Sequence, residues 1–224
     1  MTGARDSGGR ALLLDLDRTL VDLQSFTDYD AAWAQVRDLL EGAELPSAPQ
    51  TGWPSGTRAC MAAISGIADV ELWHRVSSAI EAHERAAIAE SRPMPDLAEF
   101  WKATAELPRG VVTLLPESVA REVLTRHGLL AEGAQGREVV VVGRDPLIRP
   151  KPSGDGLRSA LGRLAGSAGS VSALMVGDST WDALAARDAG CDFVGVHAPP
   201  GEFDSVDPRP TAVAGLRDVL RVLS

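Results

Sequence analysis

Short apolar runs limit what this chain can fold into more than any other feature. ALLLDLD at residues 11–17 is the first, and RGVVTLL, REVVVVG, SVSALMVGD and CDFVGV follow it. Each is short, continuous and bounded by turn residues, the pattern of a strand buried on both faces. Between them lie ESVAREVLTRHGLL, GDGLRSALGRLAG and TWDALAARDAG, which have helical patterning; Gly128 and Gly190 close the first and third. Strands alternating with helices predict an α/β fold, a parallel sheet covered by helices on both faces. Five strands are expected, near residues 11–15, 110–114, 138–142, 171–176 and 192–196. Residues 198–211 read as a loop, and 213–223 as a closing helix.

The first crossover is interrupted. AAWAQVRDLL, GTRACMAAIS, DVELWHRVSSAIEAHERAAIAE and PDLAEFWKATAEL all read as helices, with no strand evident among them. In the third, Leu72, Val76, Ile80 and His83 recur on one face at helical spacing. About 75 residues are too many for a loop and predict an inserted all-α cap domain. The division is a core of residues 10–24 and 105–224 and a cap of 25–104, with residues 1–9 a loose polar tail.

In open parallel sheets ligands bind at the carboxyl ends of the strands. Asp15 and Asp17 follow the first strand, Thr113 the second, Lys151 the loop after the third, and Asp178 the fourth, with Asp182 four residues on. Carboxylates at the end of a buried strand are costly unless something compensates them. Oxygen ligands suit a hard ion such as Mg²⁺, and a lysine and a hydroxyl suit phosphate oxygens. One carboxylate is then a nucleophile, and a second, two residues away, protonates the leaving group and later deprotonates water. Cation and lysine offset the charge of transfer.

Composition narrows the partners. Lys plus Arg is 22 and Asp plus Glu is 31, a net charge of −9, which disfavours nucleic acid and anionic membrane. The opening MTGARDSGGR has no apolar core of a secretory signal, and no run approaches a bilayer span. Cys60 and Cys191 lie far apart and read as free thiols of a reducing, cytoplasmic compartment. The oligomeric state stays open.

The ordered strand-end residues resemble the haloacid dehalogenase superfamily. Asp15, Asp17 and Thr19 match its Asp-x-Asp-x-Thr motif, Thr113 the second motif, and Lys151 with Pro152 the third. Gly177, Asp178, Ser179 and Asp182 match the fourth, followed by the run from Ala185 to Gly190. The helical insertion is similar to the family's C1 cap, as in phosphoglycolate phosphatase-like members. The resemblance implies a Rossmann-like core, with Asp15 as nucleophile and Asp17 as general acid/base. It puts Mg²⁺ on Asp15, the backbone carbonyl of Asp17 and Asp178, with Asp182 a nearby ligand or one beyond direct coordination. Thr113 and Lys151 would bind the transferring phosphoryl group of a small phosphorylated metabolite. An acid at Asp17 points to a phosphatase, because the family's dehalogenases and phosphonate hydrolases lack one there.

Arg18 stands where Gly is common, and Leu114 where Asn or Gly is usual. Arg18 is expected near the pocket entrance. In the cap turn TGWPSGTR, Arg58 is a candidate for a substrate carboxylate or second phosphate, against a plain surface role, and Trp53 either lines the pocket or packs the cap. The expected function is a Mg²⁺-dependent phosphatase. The rivals are a sugar phosphomutase of the same superfamily and a non-catalytic binding module.

Overall fold

The computed structural model describes residues 10–40, 50–130, 138–166 and 172–223. The expected polar tail, residues 1–9, lies outside them. At the centre is β1 (Ala11–Leu14), buried throughout. Its neighbours are β4 (Arg109–Pro116) on one side and β6 (Ala173–Gly177) on the other, both parallel to it. Beyond them lie β5 (Val139–Arg144), β7 (Asp192–Val196) and β8 (Thr211–Val213), giving the order β5-β4-β1-β6-β7-β8.

Two faces of β1 serve two helical layers because side chains alternate along a strand. Leu12 and Leu14 pack with α5 (Glu117–Arg126) and α8 (Leu216–Leu223) through Val119, Val123, Leu216 and Val219. Ala11 and Leu13 pack with α6 (Asp155–Ala165) and α7 (Thr180–Ala189) through Leu157, Ala160, Ala185 and Ala186. A strand with no solvent face has no position for a polar residue until it ends, and the first one is Asp15.

The sheet has six strands rather than five. The sixth, Thr211–Val213, is an edge strand of three residues, paired only with β7 and mostly exposed. It follows Pro208 and Pro210 and runs into an apolar helix, so its sequence has neither length nor alternation to mark it.

The chain leaves and re-enters the core through an antiparallel ribbon, β2 (Val21–Asp22) against β3 (Arg92–Pro93). The sequence reading has no strand there, because a pair of this length shows no periodicity. Between them α1 (Tyr29–Leu39), α2 (Ser55–Gly66) and α3 (Val70–Ala87) build an apolar cluster from Tyr29, Val36, Cys60, Ile64, Val76 and Ile80. Asp28 and Asp69 cap α1 and α3 by accepting the N–H groups of Ala31 and Leu72. The buried face of α3 is Trp73, Val76, Ile80 and Glu84. Leu72 and His83 flank it, one residue off the expected stripe, because Glu84 is buried by an ion pair. α4 (Leu97–Ala103) packs differently: its Leu97 and Phe100, with Ala87 and Ile88, join the cluster of β1 and α5.

Candidate active site

The strand ends converge. Asp15 follows β1, its N–H donating to the Val176 carbonyl at 2.9 Å, and is buried. Lys151 is buried beside it. Its Nζ donates to Asp15 Oδ1 at 2.5 Å, to Asp182 Oδ1 at 2.6 Å and to the Val112 carbonyl at 3.1 Å. Burial alone would lower the Lys151 pKa, but the Asp15 and Asp182 carboxylates outweigh it and hold the ammonium protonated.

Asp17 lies one turn on. Its Oδ1 accepts the N–H groups of Leu23 and Gln24, each at 2.9 Å, fixing the carboxyl against the start of the cap linker. Burial pushes its pKa up to about 7, against the pull of those two amides. Such a group carries a proton for much of the time at neutral pH and is suited to give it up. Directly after Asp17, Arg18 adopts φ +60°, in the left-handed region. That conformation favours glycine, and an arginine holds it at some cost.

Thr113 is delivered by a bulge. The pairing of β4 with β5 runs from Val112–Val142 to Pro116–Arg144, so Thr113, Leu114 and Leu115 stand opposite Gly143 alone. A Cβ on Gly143 would lie 2.2 Å from the Glu117 nitrogen, so the bulge requires glycine there. Leu115 N–H donates to Thr113 Oγ1 at 3.2 Å, which sets the hydroxyl.

At the end of β6, Gly177 makes room for Asp182, whose Cγ would lie 2.5 Å from an added Cβ. Asp182 Oδ2 accepts the Ser179 N–H at 3.1 Å and hydroxyl at 2.6 Å, in a capping box at the start of α7. Asp178 is less well compensated: the cation beside it is Arg18, with Nε at 3.6 Å. Burial first, then Asp15 and Asp182, raises its pKa well above the carboxylate range.

One carboxylate oxygen from each of Asp15, Asp178 and Asp182 lies within 4.8 Å of the others. All three are buried, and their donors are hard oxygens. Asp178 in particular has charge in excess of its partners. This donor set fits a divalent cation such as Mg²⁺. Asp15 and Asp178 have the oxygens to bind it, whereas both oxygens of Asp182 are already engaged by Lys151 and Ser179.

Asp15, Asp17, Thr113, Lys151, Asp178 and Asp182 all line one cavity. Trp53 lines it too, with its ring 5.1 Å from that of Trp181. Arg58 does not: α2 gives Thr57 and Met61 to the wall instead. Arg18 is likewise not part of the lining and faces Asp178. Sequence reading missed Gln24, Tyr29, Thr57 and Met61, which have no motif spacing, and also the buried cluster behind them. There Arg144 donates from Nη1 to Glu84 Oε1 at 2.7 Å and to the Leu114 carbonyl at 3.2 Å, and from Nε to Ser77 Oγ at 2.9 Å. The Tyr29 hydroxyl donates to Glu84 Oε1 at 3.2 Å. The position of Arg144, directly after the VVVVG strand, was a usable signal.

The parallel sheet covered by helices on both faces, with a helical insertion after its first strand, defines an α/β protein of the Rossmann-like type. A haloacid dehalogenase-like hydrolase profile matches residues 10–190, and the chain belongs to that family. Among solved structures it is similar to a hydrolase from Pseudomonas syringae, at 20% identity over 96% of this chain and 97% of that one, with a TM-score of 0.66. It is also similar to a haloacid dehalogenase-like family protein from Streptococcus pneumoniae, at 17% identity over 98% and 100% of the two chains, TM-score 0.64. A predicted phosphoglycolate phosphatase from Haemophilus somnus is similar at 19% identity over 97% and 99%, TM-score 0.62. None of the curated proteins matches the chain.

Proposed function

We propose that the chain is a Mg²⁺-dependent phosphatase that hydrolyses a small phosphomonoester through an aspartyl-phosphate on Asp15. The observation that carries this reading is the pairing of two differently held acids. Burial raises both pKa values, to about 6 for Asp15 and about 7 for Asp17, but Asp15 is bound to the Lys151 ammonium at 2.5 Å, whereas Asp17 is held by two backbone amides. An acid against a cation is suited to nucleophilic attack, and one held only by amides to carrying a proton.

One carboxylate oxygen of Asp15 attacks phosphorus, the other being left to the metal. The bond from phosphorus to the substrate oxygen breaks as Asp17 passes its proton to that oxygen, and the alcohol leaves. Asp17, now a carboxylate, takes a proton from water. The water oxygen attacks phosphorus, the bond to Asp15 breaks, and inorganic phosphate departs with both acids restored. Lys151 and the Thr113 hydroxyl bind phosphoryl oxygens and keep them in line. Mg²⁺ held by Asp15 and Asp178, with the Asp17 carbonyl, would neutralise charge on the phosphoryl group.

The helices α1–α3 act as a cap that excludes water during the first transfer and admits it for the second. Its connection to the core through the β2–β3 ribbon supports this role. No helix among the described residues is long and apolar enough to cross a membrane, and Cys60 and Cys191 are free thiols, in keeping with a cytoplasmic enzyme on a soluble substrate.

Release of phosphate from aryl and alkyl phosphates, with Mg²⁺ and with chelator, tests the reading. Asp15→Asn should lower turnover by at least about 10³-fold, roughly 4 kcal/mol of barrier. Near wild-type turnover in that variant would remove Asp15 from its role.

A further inference from the structure

We infer that the leaving group is an uncharged alcohol, so that the substrate has one phosphate and no second anionic group. This rests on the phosphatase reading and narrows it. The cavity has a phosphoryl end, formed by Asp15, Thr113, Lys151 and Asp178, and a cap end. The cap end is walled by Gln24, Tyr29, Trp53, Thr57, Met61 and Leu114, all uncharged. The Tyr29 hydroxyl is turned to Glu84, so its ring is what the cavity receives. The wall therefore offers aromatic and thioether surface with an amide and a hydroxyl, a set that recognises a compact, weakly polar molecule.

Electrostatics point the same way. Four acids, Asp15, Asp17, Asp178 and Asp182, share the lining with one cation, Lys151, which serves the phosphoryl group. Neither nearby guanidinium lines the cavity. Arg144 is buried on Glu84, Ser77 and Leu114, and Arg18 lies against Asp178. Arg58 lies off the lining. A carboxylate or second phosphate on the leaving group would be desolvated beside acids without a cation of its own. The same wall disfavours a phosphomutase, whose substrate must present a phosphate at either end.

Matched pairs test this. Glycerol 3-phosphate is compared with 3-phosphoglycerate, and fructose 6-phosphate with fructose 1,6-bisphosphate, in the presence of Mg²⁺. Each is measured for turnover and as a competitor of p-nitrophenyl phosphate hydrolysis. The uncharged member of each pair is expected to be favoured by more than about tenfold in kcat/KM or in competition. A smaller ratio, or preference for the anion, overturns the inference while leaving the phosphatase intact. Failure to hydrolyse p-nitrophenyl phosphate at all would instead overturn the phosphatase reading. Gln24→Lys places a cation on the cap wall and should narrow the ratio about tenfold. An unchanged ratio would remove Gln24 from that wall.

Discussion

Glu84 on α3 and Arg144 at the end of β5 meet at 2.7 Å with both side chains fully buried, so one ion pair spans the insertion and the sheet. Burial raises the Glu84 pKa while the guanidinium opposes it, and Oε2 has no hydrogen-bond partner among the described residues. A pair of this kind stabilises mainly by being complete. Arg144→Met should therefore cost roughly 3–5 kcal/mol of stability by leaving Glu84 unpaired. The double variant Arg144→Met with Glu84→Gln should recover part of it. Denaturant unfolding of the four forms measures the coupling, and additive losses would mean that the two side chains do not act as a pair.

Removing metal should abolish turnover. A chelator should stop phosphate release and Mg²⁺ restore it, with Ca²⁺ a poor substitute because its looser, higher coordination misplaces the attacking carboxylate. Mg²⁺ binding should also be visible without turnover. A ligand at 100 times its Kd stabilises the fold by about 2.7 kcal/mol, so Tm should rise with Mg²⁺ in the wild type and hardly move in Asp178→Asn. An equal rise in both would place the ion elsewhere.

Glu202 bridges the cap and the core. Its Oε2 accepts the Gly52 N–H and its Oε1 the Thr180 N–H, each at 2.7 Å, beside Trp53 and at the start of α7. In Glu202→Gln one acceptor becomes a donor and one of these contacts is lost, at about 1 kcal/mol. The expected result is a several-fold higher KM with kcat little changed, and faster hydrogen exchange at Gly52 or Thr180. Unchanged exchange at both amides would show that the carboxylate does not hold the cap.

Acid should loosen the Lys151 loop. Asp155 is held down to about 2 by hydrogen bonds from Arg149 and Arg158, below its ordinary 3.8. A depressed folded pKa contributes stability that is present above about pH 4 and is lost as pH falls towards 2. Solvent screening keeps the contribution to about 1 kcal/mol or less. Asp155→Asn should flatten that part of the stability–pH curve, and an unaltered curve between pH 4 and 2 would contradict the assignment.

The strand ends were legible in the sequence because burial leaves a strand no other place for a carboxylate: Asp15 and Asp178 each follow an unbroken apolar run. Lys151 and Thr113 were legible by their order along the chain. The cap wall was not, since Thr57 and Met61 differ from Arg58 only in the angle at which a helix presents them, and that angle is set by packing of α2 on α1. Glu84 was displaced by the same rule in reverse. Helical spacing nominates apolar residues for the buried face, and a charge goes there only when its partner, sixty residues away in Arg144, is known. The edge strand Thr211–Val213 escaped because three residues, two of them exposed, are too few to show a pattern.

The tilted indoles of Trp53 and Trp181 have a practical consequence. They face each other across the seam between cap and core, at 5.1 Å and 51°. Ring transitions at that distance and tilt couple, so the near-ultraviolet circular dichroism of the protein reports the seam directly. The molecule thus has its own optical gauge of cap position, readable in real time during turnover without any label.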